Sequence, residues 1–378
     1  MHLAITTPFL EAKGGVERVV LKIAEHFDAS IHVVRYDANS TFPEFKNLDV
    51  HVHHNAFGKL PLGNRIGNAI EAGSIFYNLK LDKSNDYDII NAHQTPSEWI
   101  RNNNSPVLWY CHSPNREAFD LYQWRMKQRN PLQKTIFWAA IQAFKRFEFQ
   151  TVPKIEYIFT NSKNSQGRIK KYLKRDAEIL YPGVDVERFE CKDYGKFFFY
   201  PSRITPEKRM ELAIEAFRIF SKKNKGWKLI IAGALSNRPE HQKYFTQLKQ
   251  MAGSGSGVEF RTNVPDSELL GLYARCFAII YTPLNEDLGL APLEGFASSK
   301  ACIAINEGGP RETVLDGIDG FLVSGAEEMA EKMCMLVARP ELAEEMGRKG
   351  REKVETQFTW KRFLKRFEEK TDDLLQLL

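Results

Sequence analysis

Leu180-Tyr181-Pro182-Gly183-Val184-Asp185 interrupts an alternation of short apolar runs and amphipathic stretches, and the same alternation resumes at Phe197-Phe198-Phe199-Tyr200. Ahead of the break, His2 to Thr6, Ile31 to Tyr36, Asp88 to Ala92 and Val107 to Cys111 read as strands, with a helix over Val16 to Phe27. Beyond it, Phe197 to Tyr200, Trp227 to Ala232, Val258 to Arg261, Ala278 to Tyr281 and Ala301 to Ile305 read as strands. Short apolar runs separated by amphipathic helices predict parallel strands joined by crossovers. The break therefore separates two α/β domains, 1–181 and 182–360, with Pro182-Gly183 as turn and hinge. From Thr359 to Phe367, aromatic residues at helical spacing face away from a basic side. This predicts a closing helix, about 361–378, packed on its apolar side.

Composition supports two soluble cores. The 378 residues exceed one ordinary domain, 43% are hydrophobic and 27% charged, and no uncharged apolar run reaches the roughly 18 residues that span a bilayer. Met1 to Pro8 is apolar but has no basic segment before it, so it reads as a first strand rather than a secretory signal. Five scattered cysteines without a C-x-x-C pair favour neither a disulfide framework nor zinc, and suit a cytoplasmic setting. The net charge of +5 is mild for this length and gives no argument for nucleic acid.

In open parallel sheets, ligands gather beyond the carboxyl ends of strands, where loops lead into helix N-termini. Four such junctions carry chemistry. At Gly14-Gly15, backbone without side chains can approach a phosphate, although a plain turn accounts for the pair equally well. In Pro201 to Arg209, Arg203 and Lys208 suit the charge of a diphosphate leaving group, against the alternative of solvated loop cations. In Tyr281 to Glu294, Gly289 and Leu290 offer N–H groups while Glu286 and Glu294 can accept hydroxyl hydrogen bonds; alone, they would be an acidic helix start. Asn306 to Val314 carries another glycine pair, Gly308-Gly309, bordering the same pocket. His93 and His112 each follow a predicted strand and could both face the cleft; a lone histidine is more often a hydrogen-bonded structural residue, but two at adjacent strand ends strengthen the case for His112. G-x-G-x-x-G and G-K-[ST] are both absent, which disfavours a dinucleotide oxidoreductase and a P-loop.

Gly14-Gly15-Val16-Glu17, Asn161-Ser162, Tyr181 to Asp185, Ser202-Arg203 with Lys208, Glu286 with Glu294, and Gly308-Gly309 with Glu312 occur in order over nearly the whole chain. In that company the chain resembles the retaining glycosyltransferases of the GT-B fold, glycosyltransferase family 4, whose E-x7-E signature the two glutamates match. The resemblance implies two Rossmann-like domains with parallel sheets facing a central cleft, the first, joined by the C-terminal helix, binding the acceptor and the second the nucleotide sugar. It assigns the diphosphate to Arg203 and Lys208 and the ribose to Glu294. Glu286, with the Gly289 and Leu290 backbone, would hold the sugar, and His112 would lie beside it. It also implies front-face transfer without an enzyme nucleophile and without a metal, so Asp86-Tyr87-Asp88 reads as structural. Leu288 stands where many members have Phe.

Tyr110-Cys111-His112-Ser113-Pro114, followed by Arg116 and Asp120, is similar to the subset that moves mannose from GDP-mannose to glycan or lipid-linked glycan acceptors. A UDP-sugar is the alternative donor; a GT-B phosphorylase or epimerase, or a nucleotide-sugar-binding protein, are the alternative functions. Over 116–154, Arg125, Lys127, Arg129, Lys134, Lys145 and Arg146 mix with Trp124, Phe137, Trp138, Phe144 and Phe147. Such a surface suits an anionic membrane, giving peripheral attachment to the inner face of the cytoplasmic membrane, or else an ordinary amphipathic helix pair.

Overall fold

The computed structural model describes residues 2–55, 64–81 and 87–377. The chain divides into two compact units, Met1–Pro182 with Phe363–Leu378, and Gly183–Arg362. Both are α/β units built on parallel sheets.

In the first unit a seven-stranded sheet runs, edge to edge, Val50–Val52, Ser30–Val33, Leu3–Thr6, Ile89–His93, Val107–Cys111, Tyr157–Thr160 and Glu178–Ile179. Every pairing is parallel. Numbered along the chain, the order is 3-2-1-4-5-6-7, so it reverses between Leu3–Thr6 and Ile89–His93. These strands are buried on both faces, which is why they read as continuous apolar runs rather than alternating ones. The helix Trp360–Gln376 buries Phe363, Phe367, Thr371 and Leu374, a single stripe. Phe367 lies 5.6 Å from Phe27 and 5.9 Å from Phe159, and Arg366 holds Glu178 at 2.7 Å.

The second unit holds a six-stranded parallel sheet: Val258–Thr262, Lys228–Gly233, Phe197–Pro201, Ala278–Tyr281, Ala301–Ile305 and Gly320–Val323. Its order, 3-2-1-4-5-6, reverses between Phe197–Pro201 and Ala278–Tyr281. One face is packed by aromatics: Phe198 meets Phe220 edge-on at 5.3 Å, and Trp227 meets Phe277 at 5.0 Å. The helix Met210–Ser221 supplies Met210, Ala213, Ile214, Phe217 and Phe220 to that face, a 3-4 spacing that puts all five on one side. Gly183 sits so close to Thr359 and Trp360 that a Cβ would collide with their backbone, while Val184 N–H donates to Phe358 at 2.9 Å. That glycine is thus required by close packing within the unit.

Gly320 opens the edge strand Gly320–Val323, and Phe321 beside it packs into the core of this unit. A Cβ at Gly320 would strike the Cys302 carbonyl, so the glycine permits the strand to pair there. The strands Val50–Val52, Tyr157–Thr160 and Glu178–Ile179 are additional to those expected; two of them are edges of two or three residues, too short to show a period. Asp86 lies outside the described residues, and Asp88 accepts the His2 backbone N–H at 2.6 Å.

Candidate functional site

The expected site residues fall into two groups, one on each unit and each at the point where its strand order reverses. In the second unit the two central strands, Phe197–Pro201 and Ala278–Tyr281, send out the loops that carry Arg203 to Arg209 and Thr282 to Gly289. A buried knot ties these loops together. The Tyr200 hydroxyl donates to the Lys208 carbonyl at 2.6 Å and accepts the Thr282 N–H at 3.2 Å, and the Thr282 hydroxyl donates to the Arg209 carbonyl at 2.8 Å. Tyr200 and Thr282 are fully buried, so this register has no water to compete with it.

The knot brings Lys208 and Glu286 together. Lys208 Nζ donates to Glu286 Oε2 at 2.7 Å, with side-chain exposures of 11% and 20%. Arg209, at φ 48°, turns its guanidinium the other way, onto the Thr282 and Pro283 carbonyls and in two bonds of 3.1 and 2.8 Å onto Glu307. Arg209 is therefore a latch on the scaffold. Arg203 is exposed and makes no hydrogen bond or ion pair among the described residues. One cation is held ready by a carboxylate and the other by nothing but solvent.

Gly289, at φ 88°, caps the helix Leu290–Ala297 and packs under the Tyr281 ring. Its backbone and that of Leu290 begin the helix, where N–H groups lack helical partners. Glu294 lies half-buried in that helix, and the Tyr273 hydroxyl donates to its Oε2 at 2.6 Å. Leu288 is buried in the loop. Gly308-Gly309 does border this loop: a Cβ on Gly308 would collide with the Glu286 backbone and one on Gly309 with Leu288, while Gly309 N–H donates to the Glu286 carbonyl at 2.8 Å. Only glycines allow two loops to lie so close.

In the first unit, Gly14 caps the helix Gly15–Phe27 in extended conformation, and a Cβ there would meet the Glu17 carboxylate. A carboxylate in this first turn suits the positive end of the helix. His93 takes the hydrogen-bonded structural reading: it is completely buried at the end of Ile89–His93. Its Nε2 lies 2.6 Å from Asn91 Oδ1 and its Nδ1 lies 3.1 Å from His112 Nε2. His112 is partly exposed, and burial of the ring lowers its pKa to about 3. Its loop is pinned: the Ser165 hydroxyl donates to the His112 carbonyl at 3.0 Å, Arg168 donates to Ser113 at 2.9 Å, and Asp120 pairs with Arg116 and Arg168 at 3.0 and 3.3 Å. Ser162 caps the next helix, accepting from Ser165 N–H at 3.0 Å.

The basic aromatic stretch divides in two. Arg125 is buried and pairs with Glu117 at 3.3 Å, Lys145 lies over the Phe119 and Tyr122 rings, and Phe137 is core, so these turn inward. Along the helix Pro131–Thr151, Leu132, Ile136, Trp138 and Phe147 are exposed. No helix among the described residues is long and apolar enough to cross a membrane.

Sequence reading missed Tyr273, Arg209 as a latch, Glu307 and Asn91. The first three act through partners 21 to 98 positions away, which no local motif encodes. Asn91 lies within the strand read over Asp88 to Ala92, and its polar side chain inside an apolar run is the available signal.

The family model described as Glycosyltransferase Family 4 matches residues 13–188, and that described as Glycosyl transferases group 1 matches residues 185–353. The chain is similar to the alpha-1,3/1,6-mannosyltransferase ALG2 of Dictyostelium discoideum, at 27% identity with 96% of each chain covered. It is also similar to ALG2 of Homo sapiens, at 27% identity over 92% of this chain and 90% of that one. Among solved structures, Anabaena Alr3699/HepE in complex with UDP and glucose aligns at a TM-score of 0.76 and 16% identity, covering 99% of this chain and 100% of that one. Sucrose-phosphate synthase from Thermosynechococcus elongatus aligns at 0.78 and 16%, covering 100% of both.

Proposed function

The chain belongs to the GT-B glycosyltransferases of glycosyltransferase family 4, and from that premise we propose that it moves mannose from GDP-mannose to a glycan or lipid-linked glycan, with retention of configuration. The observation that carries this reading is the Lys208–Glu286 pair at the strand reversal of the second unit, with Arg203 unengaged beside it in sequence and Glu294 fixed by one oxygen. The mannosyltransferase relatives, aligned along nine-tenths or more of both chains, support the sugar.

In this reading Arg203 and Lys208 take the diphosphate, whose charge grows as the glycosidic bond breaks. Arrival of that anion competes for the Lys208 ammonium and releases Glu286 to accept hydroxyl hydrogen bonds from the sugar. The N–H groups of Gly289 and Leu290 hold the sugar from the helix start. Glu294 accepts from the ribose with the oxygen that Tyr273 does not occupy. The acceptor hydroxyl enters on the face from which the nucleotide leaves, so no enzyme nucleophile is required. His112 of the first unit is assigned to a sugar hydroxyl, and the first unit takes the acceptor. Gly14 and Gly15 line the start of that unit's first helix.

The first unit also attaches peripherally to anionic membrane through 116–154, with Leu132, Ile136 and Trp138 as the apolar contacts and Lys127 and Arg146 as exposed cations. Loss of sedimentation with anionic liposomes at low salt would remove this part alone. The donor is tested by a thermal-shift panel of GDP, UDP, ADP and their sugars, followed by transfer assays. Stabilisation by GDP and GDP-mannose is expected; no shift with any nucleotide sugar overturns the reading, and a shift confined to UDP species replaces the donor.

A further inference from the structure

Asn91, His93 and His112 form a chain of hydrogen bonds whose direction is set at its buried end. Asn91 Nδ2 lies 3.1 Å from the Leu108 carbonyl oxygen, which can only accept. The amide NH2 must therefore face Leu108, and Oδ1 must face His93 Nε2 at 2.6 Å. Since Oδ1 is an acceptor, His93 carries its proton on Nε2. Burial lowers the His93 pKa well below the ordinary histidine value, with the neighbouring His112 ring adding to this, so the ring is neutral and its Nδ1 is a bare lone pair. His112 Nε2, 3.1 Å away, must then be the donor. The proton of a neutral His112 is thereby fixed on Nε2, and its Nδ1 is left as an acceptor with no partner among the described residues.

We propose that Asn91 and His93 are positioning residues that hold His112 as the Nε2–H tautomer, so that its Nδ1 accepts a hydrogen bond from a substrate hydroxyl. The hydroxyl contact rests on the role proposed above for His112; the tautomer does not. A reversed His112 would present an N–H donor to the same spot, leaving a hydroxyl that donates there with no acceptor for its proton. Stacking of His93 on Tyr110, 5.5 Å between centroids, keeps the first ring from turning out of line, and Tyr110 is itself fixed by donating to the Leu180 carbonyl at 2.6 Å.

Histidine-selective 15N labelling of the full chain and long-range 1H–15N correlation read the tautomer directly, with the His112 signals identified by their loss in His112→Gln. One slowly exchanging Nε2–H tautomer at His112 is expected at neutral pH; a proton on Nδ1, or an averaged mixture, overturns the proposal. His93→Phe removes the acceptor and should lower kcat for mannosyl transfer about tenfold, the worth of one hydrogen bond, with GDP affinity unchanged. His93→Gln, which offers an acceptor and a donor in similar places, should restore most of it. An unchanged kcat in His93→Phe, or equal loss in both variants, contradicts positioning. If the native chain shows the expected tautomer yet transfers no mannose, the donor reading fails while the tautomer assignment stands.

Discussion

The two units share a strand order and place their polar side chains at the same topological point, yet they fill that point with opposite chemistry. In the second unit it holds ionised groups in pairs, Lys208 with Glu286 and Arg209 with Glu307, with Arg203 exposed on the same loop. In the first unit it holds neutral rings and an amide, Asn91, His93 and His112, with burial pushing both histidines down. Elsewhere in the first unit the interior carries Glu98 beside Glu148, both fully buried, where burial pushes the Glu98 carboxyl well up and the neighbouring Glu148 charge adds to it. A shared scaffold thus leaves charge to be set by the ligand: a diphosphate needs cations that can be released to it, whereas hydroxyls need fixed neutral donors and acceptors.

Glu286→Ala gives the largest test of this contrast. Mannosyl transfer should fall by a factor on the order of 10²–10³, as for loss of a group that acts mainly in the transition state. GDP affinity should hold or rise, because Lys208 is freed; a parallel fall in GDP affinity would break the division of roles. Lys208→Met should weaken GDP binding about 10–100-fold, the worth of a charge-assisted bond, as read by calorimetry. Unaltered GDP affinity would move the diphosphate away from this pair. Tyr273→Phe removes only the hydroxyl that fixes Glu294, so GDP affinity should drop about five- to tenfold with kcat nearly constant.

The smallest effect concerns the neutral interior. Glu98, with its pKa raised on folding, binds a proton in the native state over a pH range where the unfolded chain has released it. Stability from this group is therefore present at low pH and is lost as pH rises from the ordinary carboxylate range through the raised value. Glu98→Gln should lack this dependence, so its melting temperature relative to native should climb with pH across that window, by about 2–4 °C per pH unit at most. A difference that stays flat with pH would mean that the first unit tolerates buried charge after all.

Sequence sufficed for the elements with strong local signals. Ala278–Tyr281 and Ala301–Ile305 were readable to the residue because both faces are buried and the runs are bounded by turn formers. Glu286, Glu294 and Lys208 are legible as candidates because strand ends and helix starts are local features. Their partners were not, since the Lys208–Glu286 contact spans 78 positions and depends on Tyr200 and Thr282 drawing two loops together. The choice between an open and a sealed His93 is tertiary for the same reason: the end of a strand is covered according to what packs over it, here Tyr110 and His112. Gly308 and Gly309 were visible as a pair, but their reason, two loops in backbone contact, was a tertiary one.

The central claim is that Glu286 serves the sugar and the surrounding cations serve the diphosphate. Calorimetric titration of GDP and GDP-mannose into native protein and Glu286→Ala measures this in one comparison. The account predicts that GDP binds both proteins at least equally well, while the affinity that the mannosyl group adds in the native protein disappears in the variant. Equal loss of GDP and GDP-mannose binding in Glu286→Ala would contradict it.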